Sequence, residues 1–156
     1  MANLTDLTSK EFLTELASAA PAPGGGGGAA MAGALAAALS SMVCNLTLGK
    51  ERFAAQAPEV ESVLVKAERA RERLLELVQE DAAVFNSFMS CYKLPKATEE
   101  EKAARTAAIR AAAKKAAEVP LAIARESFAV LELADELVVC GNPGVITDGA
   151  CSGLLA

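Results

Sequence analysis

The fold turns on residues 21–48, PAPGGGGGAAMAGALAAALSSMVCNLTL. Apolar side chains of real size recur at Met31, Leu35, Leu39, Met42, Val43 and Leu46, in steps of three and four, which is helical periodicity. Ala32, Gly33, Ala36 and Ala37 keep the other faces small, so neighbouring backbones can approach closely and the helix is expected to be surrounded on all sides. Pro21-Ala22-Pro23 favours extended backbone, and Gly24 to Gly28 read as a loop leading into the helix, which Gly49 ends. No charged residue falls between Glu15 and Lys50, a run long enough to cross a bilayer. Its helical part, Ala29–Leu48, carries Leu or Met only about once per turn, and the remainder is mostly Ala, Gly, Ser, Asn and Thr, near neutral for insertion. The expectation is a buried central helix and no membrane span.

On the N-terminal side, Thr8-Ser9-Lys10-Glu11 has the form of a capping box, opening a first helix that runs to about Ser18. On the other side, a third helix is predicted from about Pro58 to Cys91. Its stripe is Val60, Leu64, Ala67, Arg71, Leu74, Val78, Asp81, Phe85 and Phe88, a heptad-like seam for antiparallel packing. Thr98 to Glu101 form a second capping box, opening a fourth helix to about Val119. Pro120 starts or kinks a fifth, which Gly141 stops. Asn142-Pro143-Gly144 is a turn, and Thr147 or Asp148 is placed to cap a last helix of about two turns. The fold class is all-α, an antiparallel bundle of five to six helices in a single domain over residues 1–156.

Composition agrees and excludes several chemistries. The chain has 156 residues, 53% hydrophobic and only 4% aromatic, and alanine dominates, which favours packed helices over sheets. It contains no His, so His-based metal sites and imidazole bases are out. A net charge of −5 argues against a nucleic-acid surface. Cys44, Cys91, Cys140 and Cys151 lie far apart without CxxC spacing, each among apolar neighbours; buried free thiols in a reducing, cytoplasmic setting are expected. No signal peptide is expected, because Glu11 and Glu15 precede the first apolar run and no basic segment leads it.

Asp81 is the sharpest anomaly. A carboxylate on an apolar seam must be paired, hydrated or protonated. It is either a working acid, base or ligand anchor in a cleft, or half of an ion pair, for instance with Arg71 or Arg105, or a seam position that happens to be exposed. Gly24, Gly25 and Gly26 precede a helix N-terminus, a place where backbone N–H groups can meet an anion. A P-loop is ruled out, because no Lys follows the glycines until Lys50. The plainer reading is a flexible turn that lets two backbones touch. Lys93 and Lys96 flank Leu94-Pro95 about three helical turns beyond Asp81, where they can hold an anionic substrate or simply be solvated. Asn142 and Asp148 have equally plain turn and cap roles. The charged run Glu68–Glu80 reads as a solvated face with pairs such as Glu68–Arg71.

Taken in order, Pro21-Ala-Pro-Gly-Gly-Gly, Met42-Val-Cys-Asn-Leu-Thr47, Glu80-Asp-Ala-Ala-Val-Phe85, Lys93-Leu-Pro-Lys96, Val119-Pro-Leu121 and Gly141-Asn-Pro143…Thr147-Asp148 resemble the formiminotransferase-cyclodeaminase C-terminal domain family, from about Leu7 onward. The resemblance implies an all-helical, homodimeric, cytoplasmic enzyme of one-carbon folate metabolism. Its substrate would be a tetrahydrofolate derivative, including polyglutamylated forms, with no metal and no tightly bound cofactor. Members convert formiminotetrahydrofolate to 5,10-methenyltetrahydrofolate and ammonia; related ones are methenyltetrahydrofolate cyclohydrolases. The sequence departs from the family pattern at Gly27, where Ser is usual, and at Gly149-Ala150, where Ala-Gly is expected; a further C-terminal helix is also expected in the family. A truncated, inactive helical oligomerisation domain is therefore a third alternative.

The implied chemistry needs a proton taken from N10 and a protonated leaving nitrogen. Asp81 and Asp148 are the expected catalytic carboxylates, with Asn142 positioning and Gly24–Gly26, Lys93 and Lys96 binding substrate. Asp81 gripping the pterin's N–H donors is the alternative.

Overall fold

The computed structural model describes residues 3–156. Among them are five α-helices and no strand: α1 (Ser9–Leu16), α2 (Gly25–Asn45), α3 (Ala57–Cys91), α4 (Glu99–Cys140) and α5 (Ile146–Leu155), with short 3-10 turns at Leu4–Asp6, Glu51–Gln56 and Pro143–Val145. The all-α expectation holds, and both capping boxes form. Thr8 Oγ1 accepts from the Glu11 N–H while Glu11 accepts from the Thr8 N–H. Thr98 and Glu101 exchange the same two bonds, each 3.2 Å. The hydroxyl and amide of Thr8 hold the Glu11 carboxyl below the usual range.

Three expectations are corrected. The glycine run is not a loop: Gly25 to Gly28 are the first turn of α2, and the Gly28 N–H already bonds the Gly24 carbonyl at 2.9 Å. The predicted fourth and fifth helices are one, α4, with Pro120 inside it. Proline removes one i→i−4 bond there, but its own side chain is exposed, and buried Val119 and Ile123 anchor the helix on either side. The last helix begins at Ile146 without a side-chain cap, so neither Thr147 nor Asp148 caps it; Asp148 lies within its first turn.

The chain folds into two compact units, with boundaries inside α2, α3 and α4. One unit holds residues up to 28 together with 77–122. There the Leu4 N–H donates to Gln79 Oε1 at 2.9 Å, Phe12, Leu77, Val78 and Ala82 are buried, and Leu16 faces Gly28. Where α3 gives way to the Tyr92–Thr98 connector, the Arg105 guanidinium lies 5.5 Å over the Tyr92 ring and donates to the Tyr92 carbonyl.

The other unit holds 29–76 and 123–156. Its core joins Val43 and Cys44 of α2, Val60, Val63 and Ala67 of α3, and Leu133, Leu137 and Cys140 of α4. The small face of α2 is the packed one: Ala30, Ala34, Ala36, Ala37, Ser40 and Ser41 are all buried. A Cβ at Gly33 would lie 2.6 Å from Ser127 Oγ and 3.2 Å from Leu74, so the close approach requires glycine. Ser152 of α5 donates to the Ala36 carbonyl and shares a 2.9 Å bond with Ser40 Oγ, fixing α5 on α2. Gly49, at φ 74°, makes the left-handed turn after α2.

That packing overturns the expected buried stripe. Leu35, Met42 and Leu46 are exposed, because the tightest packing selects the residues without bulk. Among the described helices α2 alone is long and apolar enough to cross a membrane, and more than half of that stretch is buried inside the protein. Phe85, also expected on a buried seam, is 37% exposed.

Candidate active site

Asp81 lies on α3, one residue before buried Ala82 and three after buried Val78, and its own side chain is half-buried. Neither Arg71 nor Arg105 pairs with it. Arg71 is taken by Glu68, one turn earlier on the same helix, at 2.5 Å, and that guanidinium holds the Glu68 carboxyl below its usual range. The partner of Asp81 is instead the first turn of α2: the Gly27 N–H donates to Asp81 Oδ2 at 2.9 Å. Helix starts leave N–H groups without intrahelical partners, and serine, threonine or aspartate at the preceding position usually satisfies one. Here Gly24 occupies that position and has no side chain, so a carboxylate from another helix supplies the cap. The positive end of the helix dipole adds to this attraction.

The fit is close. A Cβ on Gly26 would overlap Asp81 Oδ1 and lie 2.6 Å from Cγ, so the carboxylate rests directly on the backbone of Gly26 and Gly27. Among the described residues, Asp81 Oδ1 has no hydrogen-bond partner. One oxygen is therefore fixed and the other is available, on a group that water can still reach. Of the seat that sequence reasoning offered to a substrate anion, Gly24–Gly26, Asp81 occupies the Gly26 end, while nothing lies within 4 Å of a Cβ at Gly24 or Gly25.

None of the remaining candidates bonds to this pair. Lys93 and Lys96 are exposed on the connector after α3. The 1.5 Å rise per residue puts the end of α3 at Cys91 about 15 Å along the helix from Asp81, so the structure does not bring either lysine onto that carboxylate.

Asn142 belongs to the other unit and is 5% exposed. Its N–H donates to Thr47 Oγ1 (2.9 Å), its Nδ2 to the Leu46 carbonyl (3.0 Å), and its Oδ1 accepts from Gly144 N–H (3.0 Å) and Arg52 (3.2 Å). That is a clamp on the end of α2, and it leaves little for a substrate. Sequence reasoning missed Arg52 entirely. Asp148 is half-buried in the first turn of α5 and has no hydrogen bond or ion pair among the described residues. Asp81 and Asp148 fall in different units.

An apolar groove of 420 Å³ runs between α4 and α5, lined by Phe128, Leu131, Val138, Gly149 and Gly153, with Glu132 and Asp135 beside them. Of the four free cysteines, Cys44 and Cys140 are buried as expected, but Cys151 is exposed and Cys91 partly so. Burial pushes the Cys44 thiol up to about 12 and raises that of Cys140 as well, which makes both poor nucleophiles at neutral pH.

Comparison with known proteins matches residues 8–156 to the model of the formiminotransferase-cyclodeaminase family. The chain belongs to that family. A methenyltetrahydrofolate cyclohydrolase from Methylorubrum extorquens is 46% identical over 149 residues, covering 96% of this chain and 72% of the relative. The formimidoyltransferase-cyclodeaminase of Sus scrofa is 35% identical over 133 residues, covering 85% of this chain but 25% of that longer protein. Among solved structures, the formiminotetrahydrofolate cyclodeaminase of Thermotoga maritima superposes with a TM-score of 0.84 at 31% identity, covering 97% of this chain and 72% of that one. The family assignment agrees with the all-α architecture.

Proposed function

We propose that this family member is an enzyme acting on the one-carbon bridge between N5 and N10 of a tetrahydrofolate, and that the hydrolytic reaction, methenyltetrahydrofolate cyclohydrolase, is its activity. The observation that carries the reading is the 46% identity to a cyclohydrolase across 96% of the chain. In that reaction water adds to the cationic methenyl carbon and loses a proton. The resulting tetrahedral carbon then breaks its bond to one ring nitrogen, which is protonated as the formyl carbonyl forms. Asp81 is the group we assign to these proton transfers: Gly27 fixes Oδ2, and Oδ1 faces no competing protein donor among the described residues.

Cyclodeamination is the second reading, favoured by the 0.84 TM-score to a cyclodeaminase. It builds a related tetrahedral carbon from the other side, with an amino group in place of the hydroxyl: N10 attacks the formimino carbon and gives up its proton, and the amino nitrogen, once protonated, leaves as ammonia. One carboxylate serves either direction, so the two differ in what the tetrahedral carbon expels. The lysines Lys93 and Lys96 are assigned a supporting role on the anionic tail of folate and its polyglutamates.

A homodimer in the cytoplasm completes the reading. The exposed Leu35 and Met42 of α2, with Leu46 just beyond its end, support self-association, and the four unpaired thiols suit a reducing compartment. Offering both substrates to one preparation tests the reading. Loss of methenyl absorbance in the presence of enzyme supports the hydrolase, and its appearance from formiminotetrahydrofolate with release of ammonia supports the deaminase. Inertness toward both rejects the enzyme reading in favour of an idle helical module.

A further inference from the structure

Five consecutive glycines are an unfavourable way to begin a helix, each less favourable there than alanine, so some position in the run should need the missing side chain. The surroundings of the five differ sharply. Nothing lies within 4 Å of a Cβ built on Gly24 or Gly25; one on Gly27 or Gly28 makes ordinary contacts, at 3.4 Å or more. A Cβ on Gly26 alone in the run collides: it overlaps Asp81 Oδ1 and lies 2.6 Å from Cγ and 2.8 Å from Oδ2. All three atoms belong to one carboxylate, and that carboxylate is held in place by the next residue's N–H.

We propose that Gly26 is a positioning residue for Asp81: the absence of a side chain there lets the carboxylate settle on the first turn of α2, with Oδ2 on Gly27 and Oδ1 over the Gly26 backbone. This rests on the reading that Asp81 works on the folate one-carbon bridge. A methyl group at position 26 forces the carboxyl off the helix start, weakens its bond to Gly27 and displaces Oδ1. Displacement of about 1 Å at a catalytic group costs on the order of 100-fold in rate.

The test compares Gly26→Ala with Gly28→Ala, which makes the same change in helix propensity one half-turn away, where Leu16 is only at van der Waals distance. Turnover is measured on methenyltetrahydrofolate and on formiminotetrahydrofolate, with kcat and KM resolved, next to Asp81→Asn. In parallel, urea unfolding is measured for Gly26→Ala, Asp81→Ala and the double variant. The expected result is a loss of at least ~10-fold for Gly26→Ala, in the same parameter that Asp81→Asn worsens, a lower kcat or a higher KM, while Gly28→Ala stays within about twofold of the parent. Gly26→Ala should raise the unfolding equilibrium constant about tenfold in the parent and not at all in the Asp81→Ala background. If Gly26→Ala is insoluble alone, the double variant must be soluble, since removing the carboxyl removes the collision. Additive unfolding effects, or an insoluble double variant, overturn the proposal. So does a Gly26→Ala protein with parental kcat and KM beside an inactive Asp81→Asn. Coupled unfolding with a fully active Asp81→Asn overturns the functional reading of Asp81, and only with it the catalytic consequence drawn for Gly26.

Discussion

Asn142 and Thr47 meet through a 2.9 Å hydrogen bond from the Asn142 N–H to the Thr47 hydroxyl, across 95 positions of sequence. The Thr47 hydroxyl in turn donates a hydrogen bond to the Val43 carbonyl at 2.7 Å, so the two residues tie the turn after α4 to the last turn of α2. The Asn142 side chain completes the tie by bonding Leu46 and Gly144.

Replacing Asn142 by alanine removes the partner of the Leu46 carbonyl and of the Gly144 N–H, at two part-buried hydrogen bonds. Such losses cost about 1–3 kcal/mol per group, so Asn142→Ala should lower stability by about 2–3 kcal/mol in urea unfolding. If Asn142 serves substrate instead, the variant will keep its stability and lose affinity.

Gly33→Ala tests the packing of α2. The added methyl meets Ser127 Oγ at 2.6 Å and both Leu74 methyls at 3.2 Å, all of them buried. Overpacking of this kind costs about 1–3 kcal/mol, against the gain that alanine normally brings to a helix. Thermal unfolding of Gly33→Ala beside Gly28→Ala should show a clear drop only in the former.

Cysteine chemistry gives a prediction in pH. The folded-state value of Cys44 is raised from 9.0 to about 12 chiefly by burial, so the fold favours its protonated form. The stability linked to that preference is complete below pH 9.0 and is lost as pH rises from 9.0 toward about 12. Urea midpoints should fall across that range, and fall less in Cys44→Ala. At about pH 8, below the ordinary thiol value, a thiol reagent should label Cys151 first and Cys91 more slowly, and should reach Cys44 and Cys140 only on unfolding.

How far the sequence carried these conclusions differs from element to element. Helix existence was legible, because capping boxes at Thr8 and Thr98 and the 3–4 spacing of α3 are local signals. What faces inward on α2 was not. Bulk marks a core when side chains fill space, yet here Ala36, Ala37 and Ser40 are inside because backbones approach closely, and Leu35 is left outside. Pro120 read as a boundary because its local cost is real, but buried neighbours on both sides outweigh one missing bond. Asp81 stood out as a charge on an apolar seam. Its partner could not be found the same way, since a backbone N–H 54 residues away leaves no mark in residue types. Asn142 and Asp148 read locally as plain turn and cap residues, and only the family resemblance makes them site candidates, which does not distinguish a clamp from a binding group.

The exposed α2 stripe predicts self-association. Leu35→Glu with Met42→Glu places two charges on one helical face, two turns apart, and should shift the sedimenting species from dimer to monomer. A parent protein that sediments as a monomer contradicts the dimer.

Every role assigned to this site depends on the Asp81 carboxylate, held by Gly27, performing the proton transfers on the folate one-carbon bridge. The decisive measurement is the turnover of Asp81→Asn on methenyltetrahydrofolate and formiminotetrahydrofolate. Asparagine keeps the shape and an oxygen for the Gly27 N–H, so the melting temperature should stay close to the parent's. Turnover should fall by at least ~100-fold, the lower end of what a positioned acid or base contributes. A folded Asp81→Asn enzyme with the parent's turnover on either substrate would contradict that role.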